Sequence, residues 1–264
     1  PKSVESALIS RVKVMANMDI AETRAPQDGG FSMKVGGKEI EMRVSACPTI
    51  WGENVVLRIL DRSKLLLQLD DLGLVNRGRE KFQAMLKNPF GVILVTGPTG
   101  SGKTTTLYAA LTQLNKPNVN IKTIEDPVEY RLDGILQTQV NPKANITFAT
   151  GLRSLMRQDP DIILVGEMRD RSTIDIALKA AETGHLVFST VHTTDATRTV
   201  NRLVSVFDAA GQPNGRRRRA KSHKGVISQG VLRRKDEQGR VVAVEVMRNT
   251  PTIAGCITDS NRTS

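Results

Sequence analysis

Aromatic side chains make up only 3% of this 264-residue chain. That scarcity argues against a single-strand nucleic-acid binder, because such proteins stack bases on aromatic rings. The two cysteines, Cys47 and Cys256, lie far apart with no C-x-x-C spacing. A tetracysteine zinc module and a disulfide framework are both excluded, and the two read as unpaired thiols. No apolar run approaches the roughly 20 residues of a membrane helix and no charged-then-apolar leader opens the chain, so it reads as cytosolic. Methionine is missing from the first position, which is Pro1, and the chain reads as an excerpt of a longer protein. Acidic residues are outnumbered, leaving a formal charge of +11. The basic residues are scattered except for Arg216 to Arg219. We expect solvated surface and phosphate-facing arginines, with no direct nucleic-acid contact.

What is present is a complete phosphate loop. Gly97, Pro98, Thr99, Gly100, Ser101, Gly102, Lys103 and Thr104 read GPTGSGKT, and the apolar run VILVT before them supplies the strand such a loop must follow. The glycines let backbone N–H groups turn inward around phosphates, Lys103 reaches the β and γ oxygens, and the Thr104 hydroxyl takes a Mg²⁺ position, with Thr105 beside it. The following segment KTTTLYAALTQLN has Leu107, Leu111 and Leu114 at helical spacing, so a helix N-terminus faces the anion. The chain therefore binds a nucleoside triphosphate.

A boundary is expected near residue 70. Before it, GGFSMKVGGKEIEMRVSACPTIWGENVVLRIL alternates apolar and polar residues around a Gly36-Gly37 turn, as in an antiparallel sheet with one buried face. Val4, Leu8, Val12 and Met15 in the opening segment are spaced for a helix packed on that sheet. Residues 1–70 thus read as part of a small α+β domain plus a linker around RSKLLLQLDDLGL. Residues 71–264 alternate strands (VILVT, IKTI, ILQTQV, DIILV, HLVFSTV) with helices beginning near Thr147, Arg171 and Asp195. The fold class is α/β with a mostly parallel sheet, whose functional residues belong at the strands' carboxyl ends.

Acidic groups fall at those ends. The strand in PDIILVGEMRD stops at Gly166 and Glu167, and a carboxylate there can orient a water in line with a γ-phosphate, although glycine stands where such strands often carry aspartate. EDPVEY brings Glu125, Asp126 and Glu129 together on a loop stiffened by Pro127, some of them facing Mg²⁺ and its waters. His192 leaves the strand HLVFSTV beside the phosphates, where an imidazole can donate to a γ oxygen. Nothing in their spacing makes His185 and His192 a metal pair. Arg153 and Arg157, four apart in FATGLRSLMRQ, would share a helix face.

GPTGSGKTTTLYAAL, TIEDPVEY, LRSLMRQDPDIILVGEMRD and GHLVFSTVHTTDA occur in this order and spacing. Together they resemble the Walker A, Asp box, Walker B and His box of the type II secretion and type IV pilus motor ATPases, over nearly the whole chain. The resemblance implies a RecA-like ATPase domain behind the second half of a PAS-like N-terminal domain. It implies ATP and Mg²⁺ as ligands, Glu167 as catalytic glutamate, Glu129 as the acid beside the metal, and His192 as γ-phosphate sensor. Arg43 and Arg58 match N-terminal-domain arginines that close over nucleotide, and Arg153 and Arg157 match arginines of the ATPase domain. In that family homo-hexamers work at the cytoplasmic face of the inner membrane, peripheral to it, on a platform protein.

Three features depart from the pattern. GVISQGVLRRKDEQGRVVAVEVMRNTP stands where secretion and assembly members carry a tetracysteine module and looks more like the ending of a retraction motor. GRRRRAKSHK occupies an amphipathic helix but lacks apolar side chains at Gly215, Arg219 and His223, so that helix should pack poorly. Trp51 stands where the family usually has histidine. A conjugation-type translocase and a non-hydrolysing scaffold are the competing functions, and a small-molecule kinase fits least because no lid or acceptor site is evident.

Overall fold

A computed structural model describes residues 4–61, 68–74, 76–235 and 240–259. The chain forms two compact units, Pro1–Leu66 and Leu67–Ser264. Of the expected linker, residues 62–67 lie outside the described residues.

The first unit places helix α1 (Glu5–Met15) on an antiparallel sheet of β1 (Gln27–Val35), β2 (Lys38–Thr49) and β3 (Gly52–Asp61), in that order. Val35 pairs with Lys38 across Gly36 and Gly37, whose φ of 57° and 80° are what a tight primed hairpin turn requires. Val44 and Ala46 are buried on the inner face. The expected α1 stripe is rotated. Val4 and Leu8 are exposed, whereas Lys13 and Ala16 are buried and Ile9 and Val12 half-buried. Lys13 can take an inward position because its ammonium finds Glu53 and, at 2.9 Å, the Glu22 carbonyl. Trp51 sits at the β2–β3 turn and is 88% exposed; nothing in the structure explains its identity.

The second unit follows the expected alternation. A 3-10 turn (Leu69–Leu72) and α2 (Asn76–Leu86) lead into β4 (Gly91–Thr96), α3 (Lys103–Leu114), β5 (Ile121–Glu125) and β6 (Leu136–Gln139). Then come α4 (Phe148–Leu155), β7 (Ile162–Val165), α5 (Arg171–Glu182), β8 (Leu186–Val191) and α6 (Ala196–Val204). The chain continues through α7 (Gln212–Ser222), β9 (His223–Arg233), β10 (Arg240–Arg248) and α8 (Pro251–Thr258). The seven-stranded sheet has the order β10-β9-β4-β8-β7-β5-β6, parallel except for the β9–β10 pair. Every residue of β4, β7 and β8 is buried, as expected for parallel strands covered on both faces.

The expectation for the arginine-rich helix needs correction. Helix α7 is formed and packed, but by polar anchors instead of an apolar stripe. Gly215 lets the Phe207 ring approach so closely that an added Cβ would lie 3.1 Å from it. Buried Arg219 donates to the carbonyls of Val200 (3.2 Å) and Leu203 (2.7 Å), satisfying the end of α6. Arg218 grips Glu182 through two bonds and also pairs with Asp175, both on α5, while Arg216 donates to the Ile257 carbonyl of α8. Three of the four arginines thus tie α7 to three other helices. Some polarity stays uncompensated, because Arg219 Nε and His223 Nε2 are buried without a hydrogen-bond partner.

Candidate active site

Strands β4, β8, β7 and β5 are neighbours in the sheet, so the loops leaving their carboxyl ends form one continuous edge. Those loops carry the phosphate-loop motif, His192, Glu167 and Glu129.

After β4 the chain turns at Gly97, with φ 144°. A Cβ there would lie 2.2 Å from the Gln229 carbonyl oxygen and 2.6 Å from Ser101 Oγ, so only glycine lets the loop press against β9. Gly102 precedes α3 in the left-handed conformation with no side-chain cap, leaving the first N–H groups of the helix directed at the loop. Ser101 Oγ is buried and lacks a partner. The Lys103 ammonium lies 2.9 Å from both the Gly97 and the Pro98 carbonyl oxygens. Its pKa is lowered by burial, and the negative charge of Glu167 opposes that shift. Thr104 and Thr105 occupy the first turn of α3, half-buried. The structure thus holds a buried cation with neutral acceptors on one side, and an unsatisfied hydroxyl and free N–H groups beside it.

Glu167 is placed by a backbone clamp. The Gly166 N–H donates to the Ile124 carbonyl (2.8 Å), Thr190 Oγ1 donates to the Gly166 carbonyl (2.7 Å), and the Met168 N–H donates to the Thr190 carbonyl (3.2 Å). The same clamp leaves little room at Gly166, where such strands often carry aspartate. A Cβ on Gly166 would sit 3.3 Å from Glu125 Cα and 3.4 Å from the Phe148 ring, tighter than ordinary contact. The Glu167 carboxylate lies 2.7 Å from Arg169 Nε and 3.7 Å from His192 Nε2. His192 is held below the usual imidazole range, first by burial and then by the Lys103 charge, with Glu167 acting in the opposite direction. It is therefore a neutral ring at pH 7, able to donate or accept. Lys103, Glu167 and His192 are thus electrostatically coupled within one loop cluster.

The three acids of EDPVEY separate as their loop bends. Asp126 is exposed and Glu129 half-buried. Glu125 points inward and away from any metal role, being buried and bonded to Thr123, Tyr108 and Gln137. Burial raises its pKa and those hydrogen bonds oppose the rise. The arginines fall elsewhere. Arg43 and Arg58 are directly opposed on β2 and β3 of the first unit. Arg153 projects from α4 to Ser172 Oγ at the start of α5 (3.1 Å), and Arg157 lies in the turn beyond α4, so the two do not share one helix face. His185 is structural, its Nδ1 lying 2.8 Å from the Ala180 carbonyl.

Sequence reasoning missed Tyr108, Thr190 and Gln229. Tyr108 carried a usable signal, lying four residues after Thr104 and hence on the same face of α3. Gln229 carried none, because the approach of β9 to β4 is a long-range pairing; its side chain donates to Thr106 Oγ1 at 2.8 Å.

A mostly parallel sheet with a phosphate loop at its carboxyl edge and acid and histidine beside it defines a RecA-like P-loop nucleoside triphosphatase fold. The chain belongs to the type II/IV secretion system protein family, whose pattern matches residues 1–263. It is 55% identical over 205 residues to the type II secretion system protein E of Pseudomonas aeruginosa, covering 78% of this chain and 41% of that protein. It is 54% identical over 202 residues to the type II secretion system ATPase E of Vibrio cholerae, covering 76% of this chain and 40% of that protein. It therefore spans about two fifths of the length of these relatives. Among solved structures it is similar to the pilus retraction motor PilT with bound ADP, with TM-score 0.77 and 35% identity, covering 89% of this chain and 67% of that one.

Proposed function

We propose that this chain is the ATP-binding and hydrolysing part of a homo-hexameric motor that powers type II protein secretion or type IV pilus assembly. It would work at the cytoplasmic face of the inner membrane against a platform protein. The single observation that carries this reading is the convergence of buried Lys103 with half-buried Glu167 and exposed His192 at the carboxyl edge beside the phosphate loop. The similarity to the pilus retraction motor PilT favours pilus retraction as the second reading.

The residues suit the ligand. Lys103 would exchange the Gly97 and Pro98 carbonyls for phosphate oxygens, and Ser101 Oγ and the first N–H groups of α3 would gain acceptors. Among the described residues no cluster of three or more His, Cys, Asp or Glu side chains could hold a metal alone. Mg²⁺ beside Thr104 and Glu129 would take its remaining oxygens from nucleotide and water, which is its habit in phosphoryl-transfer sites. When bound, it neutralises charge on the β and γ oxygens.

In this reading Glu167 orients the attacking water and accepts its proton, and His192 donates a hydrogen bond to the γ-phosphate and registers its loss. Arg43, Arg58, Arg153 and Arg157 supply cations to the developing negative charge. Arginines on a separate compact unit would link hydrolysis to domain movement. The test is ATP hydrolysis by the chain as a function of assembly, with a fluorescent ATP analogue reporting binding. Glu167→Gln is expected to keep binding and lose turnover, and turnover equal to the unmodified chain would remove Glu167 from the role of base.

A further inference from the structure

Beneath the site lies a closed polar network that none of the proposed steps uses. Tyr108 is buried one turn after Thr104 on α3. A tyrosine hydroxyl can both donate and accept, and here it does both. It donates to Glu125 Oε2 and accepts from the Glu129 backbone N–H (3.3 Å) and from Gln137 Nε2 (3.4 Å). Glu125 Oε1 accepts from Thr123 Oγ1 (2.5 Å) and Gln137 Nε2 (3.2 Å). The two hydrogens of Gln137 Nε2 are shared among Tyr108, Glu125 and the Tyr130 carbonyl (3.1 Å), and its Oε1 accepts from the Leu132 N–H (2.8 Å). The Tyr130 ring meets Tyr108 edge-on, with centroids 4.6 Å apart. The loop bearing Glu129 is therefore joined at the 129 N–H and the Tyr130 ring to the helix that bears Lys103 and Thr104, and at residues 130 and 132 to Gln137 of β6. A core contact alone would need no hydroxyl at this place, yet that of Tyr108 joins α3 to Glu125 at the end of β5 and to the loop bearing Glu129.

We propose that Tyr108, held in register by Glu125 and Gln137, is a positioning residue that fixes Glu129 relative to Thr104 and so sets the metal-binding geometry of the site. This rests on the reading of Glu129 as the acid on the Mg²⁺ side. Groups that orient a metal-facing ligand typically contribute about 10–100-fold in metal affinity or activity, so the hydroxyl's removal should be measurable. Its effect should also be channelled through Glu129 and absent where Glu129 is already disabled.

The experiment is ATP hydrolysis by the chain against Mg²⁺ concentration, with binding of a fluorescent ATP analogue measured without metal. Tyr108→Phe keeps the ring and removes the hydroxyl. The expected result is a fall in kcat of about tenfold or more and a several-fold rise in the Mg²⁺ needed for half-maximal rate, with metal-free nucleotide affinity within about twofold. Glu125→Gln, which cannot accept all the same donors, should reproduce the phenotype should Tyr108→Phe fold poorly. In a Glu129→Gln background Tyr108→Phe should add little. An unaltered Mg²⁺ requirement in Tyr108→Phe, with or without a lower melting temperature, overturns the inference, and so does full additivity with Glu129→Gln. If Glu129→Gln itself leaves the Mg²⁺ requirement unchanged, the reading of Glu129 fails instead.

Discussion

Two buried cations in the second unit, Lys103 and Arg219, show how similar chemistry serves different ends. Each is held by two backbone carbonyls, Gly97 and Pro98 for the lysine, Val200 and Leu203 for the arginine. Lys103 lies within the field of a carboxylate, with the Glu167 charge partly offsetting the burial that lowers its pKa. Arg219 has no such relief. Burial and the neighbouring charges of Arg216 and Arg218 push it down to about 9. A cation with a carboxylate and unsatisfied donors beside it is poised for an anion, whereas one enclosed by the end of a helix is a cap.

This contrast can be broken most forcefully at the first site. Glu167→Gln should lower turnover by about 10²–10⁴-fold with nucleotide affinity kept, as measured by phosphate release and analogue binding. Lys103→Ala should cost about 10²–10³-fold in turnover and, unlike Glu167→Gln, should also weaken binding of the analogue. At the second site, Arg219→Met should leave turnover unchanged and lower the unfolding free energy by about 1–3 kcal/mol in urea melts, because the Val200 and Leu203 carbonyls lose their donor. A loss of ATPase activity there would erase the distinction between the two cations.

A separate effect concerns pH. His223, fully buried beside Arg219, is pushed from 6.5 down to about 3 by burial and then by that charge. Its folded form refuses a proton that the unfolded chain accepts below about pH 6.5, so the unfolded state binds more protons between pH 6.5 and 3. This group's contribution to stability is thus complete above pH 6.5 and is lost progressively as pH falls. His223→Leu should flatten the acid limb of a stability–pH curve, and an unchanged limb would show that the ring is not held neutral.

How much of this was legible depends on sequence range. The phosphate loop, the strands that end in Glu167 and His192, and the Gly36-Gly37 hairpin each announce themselves within a dozen residues, because glycine spacing and apolar runs are local signals. The inward turn of Glu125 was not legible, since it depends on Tyr108 and Gln137, elements apart in the chain. Nor was the packing of α7. Periodicity counts apolar side chains, whereas this helix is held by arginines whose partners, Asp175, Glu182, Val200, Leu203 and Ile257, lie on three other helices. The rotation of α1 has the same origin, because Lys13 occupies the inner face by virtue of Glu53, forty residues away.

The central claim is that Lys103, Glu167 and His192 share one nucleotide. The chain has only three histidines, at 185, 192 and 223, so their imidazole NMR signals can be followed individually. Addition of Mg²⁺ and a non-hydrolysable ATP analogue should shift the His192 resonances and leave those of His185 and His223 in place, and Lys103→Ala should abolish the shift. A His192 signal indifferent to saturating nucleotide would contradict the account.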